Sequence, residues 1–339
     1  MSLPTRTLGR DGPTVTGLGL GCMGLSAFYG PPPPDSERLA FLDRAYELGL
    51  TFWDSADIYQ DNEDLLGQWF AKTGKRSEIF LATKFAINKS GNGPFIRGDR
   101  EYVRQSVEKS LKRLGTDYID LYYQHRPDPA TPIEETMTEL VALQKEGKIR
   151  HIGLSECSAA TLHRASKIGK VTAYQIEYSP FFTEIELEEI GVLKACRELG
   201  IAIVPYSPLG RGFLTGKYKS IDDFPEDDFR RAVPRYNVKE NFDKSLALVD
   251  EIQKLATVKG CTVGQLTLAW ILAQGDDFVP IPGTTKIANL EENLGALKIQ
   301  LSKEEEAQVR KAVDAAGHTG ERYPKEMMGT LFGETPESK

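Results

Sequence analysis

From about residue 18 the chain alternates short β-like runs with amphipathic helical stretches, with no linker-like break in the middle. Eight strand candidates stand out: Leu18 to Gly21, Leu50 to Trp53, Ile79 to Thr83, Ile119 to Gln124, Ile149 to Leu154, Ala173 to Ile176, Ile201 to Tyr206 and Phe278 to Ile281. Between them lie stretches such as Glu101 to Leu114, where Val103, Val107, Leu111 and Leu114 recur at helical spacing and form one apolar stripe. Parallel strands joined by right-handed helical crossovers bury both sheet faces, and eight such units close without a free edge. The pattern therefore predicts an α/β fold, a (β/α)8 TIM barrel. Arg6 to Val15, turning at Arg10, Asp11 and Gly12, reads as a β-hairpin that plugs the barrel bottom. Ser302 to Asp314 reads as an extra capped C-terminal helix, followed by a partly mobile tail containing Gly, Pro and Met.

The expected organisation is one domain over residues 1–339, with the barrel at about 18–300 and the extra helix and tail at about 302–339. With 40% hydrophobic residues, the 339-residue chain can bury a sizeable core. A net charge of −7 argues against general affinity for nucleic acid or an anionic membrane, so any anion site must be built locally. Cys22, Cys157, Cys196 and Cys261 are widely spaced with no His at metal-ligand spacing, and they read as reduced thiols with no metal site. No signal pattern opens the chain, and no apolar run approaches the ~18 residues of a membrane span, so a cytoplasmic location is the expectation.

Asp54, Tyr59, Lys84 and His125 stand at or just past the ends of three successive strand candidates. In a barrel the loops after the strands share one face, so these side chains converge there. A phenol with an ordinary pKa of about 10 is a poor acid at neutral pH unless a nearby cation stabilises its anion. Lys84 could do that for Tyr59, Asp54 could hold the Lys84 ammonium, and His125 could hydrogen-bond a carbonyl oxygen during reduction. Taken singly, Tyr59 and Lys84 also fit packing or surface roles, Asp54 a cap and His125 a core histidine. The order and strand-end placement of all four point to a carbonyl-polarising acid site.

The runs Thr51 to Tyr59, Ala82 to Lys84 and Asp120 to His125 resemble the three signatures of the aldo-keto reductases, and the resemblance covers nearly the whole chain. It implies that Tyr59 is the general acid, Lys84 lowers its pKa, Asp54 pairs with Lys84, His125 orients the carbonyl oxygen and a nicotinamide supplies hydride. Within the superfamily, Gly19 to Gly24 and Ile203 to Gly212 look most like the branch holding perakine reductase and pyridoxal reductase. The implied partner is a small-molecule carbonyl compound, an aldehyde and in some cases a ketone. Potassium-channel β-subunits are a more distant relative, and a slow-turnover nicotinamide-sensing module is the alternative function.

The chain has no Gly-x-Gly-x-x-Gly fingerprint, so the cofactor needs another cradle. Tyr206, Ser207, Pro208, Leu209, Gly210, Arg211 and Gly212, with Lys217, offer small residues for close backbone approach to a pyrophosphate and cations to neutralise it. The resemblance places Tyr206 against the nicotinamide and Ser155 and Gln175 on its carboxamide, with an ordinary core aromatic for Tyr206 and a structural hydrogen bond for Gln175 as equally simple alternatives. Gly21, Cys22, Met23 and Asp54 complete that end. Pro282, Gly283, Thr284, Thr285 and Lys286 lead into a helix through Asn289, Glu292 and Asn293, a favourable phosphate site that resembles an adenosine 2′-phosphate pocket and implies NADPH/NADP+. Thr284 and Thr285 could instead merely cap that helix. Many relatives carry Asn at Glu156 and Arg at Asn289, which leaves Lys286, Arg211 or Arg235 for the 2′-phosphate. Met23, Phe28, Tyr29, Phe85, His125 and Arg126 are the candidate substrate pocket.

Overall fold

The computed structural model describes residues 3–28, 30–91, 93–317 and 319–338, so Tyr29 lies outside the described residues. An antiparallel hairpin, β1 (Thr5–Thr7) and β2 (Thr14–Thr16), precedes seven parallel strands in sequential order: β3 (Leu20–Gly21), β4 (Phe52–Asp54), β5 (Phe80–Phe85), β6 (Ile119–Gln124), β7 (Ile149–Ser155), β8 (Val171–Glu177) and β9 (Ala202–Tyr206). The eighth candidate closes the ring as a gapped strand. Ile203 N–H donates to Asp277 O at 2.7 Å, and Val279 and Ile281 donate back to Ile203 and Pro205 at 2.8 and 3.0 Å. On the other side Gly19 and Gly21 donate to Pro280 and Pro282 at 2.9 and 3.3 Å. Pro280 and Pro282 have no N–H, so they accept without donating and the ladder cannot be continuous. The result is a (β/α)8 barrel.

Helices α1 (Asp35–Glu47), α2 (Asn62–Thr73), α3 (Arg100–Leu114), α4 (Ile133–Lys145), α5 (Ala159–Ile168) and α6 (Val192–Leu199) alternate with the strands. After β9 come the short α7 (Pro234–Asn237), α8 (Lys239–Lys259) and α9 (Val263–Ala273), then α10 (Ile287–Gly295), which packs back on α1. The stripe expected between Glu101 and Leu114 lies on α3, with Val103, Val107, Leu111 and Leu114 all buried. Asp99 caps that helix by accepting from Tyr102 N–H at 3.1 Å, and Gly115 at φ +61 ends it. The extra helix α11 (Lys303–Ala316) opens on a capping box between Ser302 and Glu305 and packs on α8.

The hairpin contributes Leu8 and Val15 to the barrel interior, where they meet Phe52, Ala82, Leu121, Tyr123, Ala173, Ala202, Val204, Val279 and Ile281. Small residues are required here because Tyr123 fills the space. A Cβ on Gly153 would come within 2.3 Å of its ring. The tail packs on the barrel. It ends in a four-residue α12 (Lys325–Met328) and loops that lie across the C-terminal ends of the strands, with Thr319, Arg322 and Thr335 buried. Among the described residues no single helix is long and apolar enough to cross a membrane, and no group of three His, Cys, Asp or Glu side chains is placed to hold a metal ion.

Candidate active site

Parallel pairing puts the ends of β3, β4, β5 and β6 side by side, with Gly21 opposite Asp54, Asp54 opposite Ala82 and Lys84 opposite Tyr123. Lys84 is completely buried and its ammonium is held by Asp54 Oδ1 and, at 2.7 Å, by Ser55 O. Gln175 Nε2 donates to the other Asp54 oxygen at 2.8 Å. Burial pulls the Lys84 pKa down and the Asp54 pKa up, while their mutual attraction opposes both shifts. The amine is thereby desolvated and fixed, with its Nζ 5.2 Å from the centroid of the Tyr59 ring.

The loop after β4 continues the ladder, since Ser55 and Asp57 donate to Ala82 O and Lys84 O at 2.8 and 3.1 Å. This places Tyr59, which is 9% exposed, above the amine. Two polar side chains fix the loop. Asn62 accepts from Ser55 Oγ at 2.6 Å and donates to Cys22 O at 3.0 Å, joining it to the segment after β3. Arg113, from the last turn of α3, donates to Asp57 O at 3.2 Å and to Gln60 O, so it grips the backbone on both sides of Tyr59. Glu63 and Asp64 hold that guanidinium at 3.1 and 2.8 Å. Neither Asn62 nor Arg113 was expected from the sequence, because their role depends on which carbonyls the fold brings to them.

His125 N–H donates to Phe85 O at 2.8 Å, and its ring lies edge-on to Tyr59 with centroids 6.0 Å apart. Burial, then the charges of Arg126 and Lys84, hold the imidazole pKa well below its ordinary value. It is neutral at physiological pH and can donate one N–H to an oxygen without carrying charge. The linkage has a definite sign. The unfolded imidazole, at about 6.5, takes up a proton first, so stability present above that pH is lost as pH falls towards the folded value. Urea midpoints at pH ~7.5 and ~5 should therefore drop less in His125→Asn than in the parent; an equal drop in both would refute this.

Along the next strands Ser155 stands opposite Gln175 in register, and Ser155 Oγ is buried without a partner among the described residues. An amide group from a ligand would satisfy that hydroxyl, which is the donor set a carboxamide requires. Tyr206 ends β9, and Ser207, Gly210, Arg211 and Gly212 follow at φ +48, +54, +55 and +88. A run of left-handed residues in a turn suits a phosphate because it gathers backbone N–H groups into a concavity. Pro208 and Leu209 lie within the same turn, and Lys217 is exposed beyond it, over the Tyr218 ring.

The last loop reaches the mouth of β3, where Gly283 bridges Gly21. Thr284 Oγ1 accepts from Lys286 N–H at 3.1 Å and from Asn289 Nδ2 at 3.3 Å, and no side chain caps α10 itself. Thr285 and Lys286 are exposed. Glu292 is turned to Thr262 Oγ1 at 2.7 Å, and Asn293 is buried. Arg235 and Arg211 do not stand with Lys286. Arg235 is buried against Glu177 at 3.2 Å and Gly320 O, and Arg211 lies 3.9 Å from Glu177 and donates to Arg322 O.

Of the pocket candidates, Met23 packs with Ala27, Ala56 and Tyr59. Phe28, 44% exposed, meets the Tyr59 ring edge-on at 6.3 Å. Arg126 is buried beside His125 and donates to its carbonyl at 2.8 Å. Phe85 is not brought to the pocket. It faces the helical layer and stacks on Tyr122 at 5.0 Å. Cys22 is also fully buried, donating N–H to Asp54 O at 2.8 Å, and burial pushes its thiol pKa up. Arg322 and Tyr323 of the tail, which sequence reading missed, reach this face through Tyr206 at 2.9 and 3.2 Å.

A model of the Aldo/keto reductase family matches residues 17–314. The chain is 54% identical over 340 residues to "Aldo-keto reductase yakc", named with NADP(+), of Schizosaccharomyces pombe, covering 99% of each. It is 50% identical over 342 residues to "Aldo-keto reductase str7" of Strobilurus tenacellus, again covering 99% of each. Among solved structures, the glycerol dehydrogenase AKR11B4 from Gluconobacter oxydans superposes with a TM-score of 0.81 at 27% identity, covering 100% of this chain and 99% of that one. The thermostable aldo-keto reductase Tm1743 superposes with a TM-score of 0.72 at 29% identity, covering 93% and 100%.

Proposed function

The chain belongs to the aldo/keto reductase family, and from that membership we propose that it is an NADP-dependent oxidoreductase that reduces aldehydes to alcohols. The observation that carries this reading is the buried Lys84–Asp54 pair beneath Tyr59, with neutral His125 edge-on to the phenol. The nicotinamide supplies hydride when bound. Tyr59 gives its proton to the carbonyl oxygen, Lys84 stabilises the phenolate left behind, and Asp54 holds Lys84 in place. His125 donates an N–H to the same oxygen and so fixes which face of the carbonyl is presented.

Ser155 and Gln175 hold the carboxamide, Tyr206 lies against the ring, and the left-handed turn after β9 receives the pyrophosphate. Met23 and Phe28 line the substrate side, and the Arg126 charge disfavours cationic substrates. Aromatic and aliphatic aldehydes therefore fit best, within one barrel spanning the chain. A substrate panel with NADPH tests this: 4-nitrobenzaldehyde should be turned over and a cationic aldehyde should not. Failure of every neutral aldehyde would refute the proposal.

Lys286 supplies the exposed cation at the uncapped start of α10, where a 2′-phosphate would gain both charge and helix dipole. Lys286→Ala should weaken NADPH by about tenfold, or ~1.4 kcal/mol, while NADH is unchanged. Dissociation constants for both cofactors check this, and an unaltered preference would remove Lys286 from the site.

A further inference from the structure

Glu156 follows Ser155 directly at the end of β7, fully buried and at φ +58. A carboxylate in such a place needs a counter-charge, and it comes from 166 residues away. Arg322 Nη1 and Nη2 donate to Glu156 Oε1 and Oε2 at 2.6 and 2.7 Å, a two-pronged pair that is itself buried. Burial alone would raise the Glu156 pKa, but Arg322 outweighs it and keeps the group ionised. The same pair grips one more atom. Tyr206 Oη donates to Glu156 Oε1 at 2.8 Å and accepts from Arg322 Nη1 at 2.9 Å.

The tail is seated on Glu156 from both ends. Gly333 N–H donates to Glu156 O at 2.8 Å, and Ser158 N–H donates to Gly333 O at 2.9 Å. Between these points the guanidinium lies over the Phe182 ring at 4.2 Å and the Phe332 ring at 5.3 Å. A phenol oxygen held through both its donor and an acceptor position, with Tyr323 Oη 3.2 Å away, pins the far end of the ring axis, so the direction of the Tyr206 side chain is fixed from outside β9.

We propose that Glu156 and Arg322 are positioning residues for the cofactor, fixing the Tyr206 ring through its hydroxyl so that the C-terminal tail sets how tightly the nicotinamide end is held. This rests on the reductase reading above. If the pair were only a staple for the tail, its loss would lower the melting temperature and leave cofactor affinity alone.

The test uses the full-length protein, NADP+ titrations followed by protein fluorescence, thermal melts, and steady-state kinetics with NADPH and 4-nitrobenzaldehyde. Tyr206→Phe keeps the ring and loses only the handle. It should raise the NADP+ dissociation constant by about tenfold, with a matching rise in the KM for NADPH. Arg322→Met should do the same, and adding it to Tyr206→Phe should change affinity by no more than about twofold, because the two act through one contact. Should Arg322→Met fail to fold, Glu156→Gln/Arg322→Met removes both charges together and replaces it in the same comparison. Unchanged NADP+ affinity in Tyr206→Phe, or full additivity of the two changes, would overturn the inference while leaving the reductase intact. A parent protein that neither binds NADP+ nor oxidises NADPH would overturn the reductase reading and the inference with it.

Discussion

Tyr59→Phe is expected to lower kcat for aldehyde reduction by roughly 10²–10⁴-fold, the range that a positioned general acid contributes. The change removes one hydroxyl and keeps the ring. Its packing against Ala27, Ala56 and Phe28 is therefore retained, and so is the grip of Arg113 on the loop backbone. Stability should move by no more than ~1 kcal/mol, the net worth of a typical hydrogen bond. Cofactor affinity should stay within about twofold, since no proposed cofactor contact involves the phenol. Loss of NADPH absorbance in single-turnover and steady-state experiments measures kcat, and a thermal melt controls for folding. A variant that retained parental kcat would show that the proton comes from elsewhere and would refute the assigned chemistry.

The barrel was legible because alternation and helical spacing are local signals. Ile119 to Gln124 coincides with β6, and Ser302 caps α11 as its position before the helical run implied. Phe85 shows a signal that was present and not used. Neighbouring residues on a strand point to opposite faces, so an inward Lys84 already sends Phe85 outward to the helices. Arg322, Arg235 and Arg113 were illegible for another reason. Each side chain is defined by hydrogen-bond partners 49 or more residues away, such as Gly320 O and Glu177 for Arg235, or Gln60 O and Asp64 for Arg113. Nothing in the local sequence distinguishes such an arginine from a solvated one. Glu156 was the available clue, because an ionised group beside a carboxamide site requires a neutralising partner somewhere in the chain.

Lys84→Met should remove both activity and much of the stability, and the two losses are separable. With the ammonium gone, Asp54 is left buried with Gln175 as its remaining side-chain donor. Breaking a buried pair in this way costs about 3–5 kcal/mol. The carboxyl can escape part of that cost by taking a proton, since burial already raises its pKa and the opposing charge has been removed. The folded variant then binds more protons than its unfolded chain above the ordinary aspartate pKa, so its stability falls as pH rises. Urea unfolding should show a deficit against the parent that is larger at pH ~8 than at pH ~5. Lys84→Met/Asp54→Asn removes both charges and should recover most of the stability, because a neutral replacement of a buried pair is often tolerated. It should not recover turnover, because the cation that stabilises the Tyr59 phenolate is still missing. A deficit independent of pH would show that Asp54 is not the group left stranded, and a double variant that regained activity would show that Lys84 serves the fold and not the proton transfer.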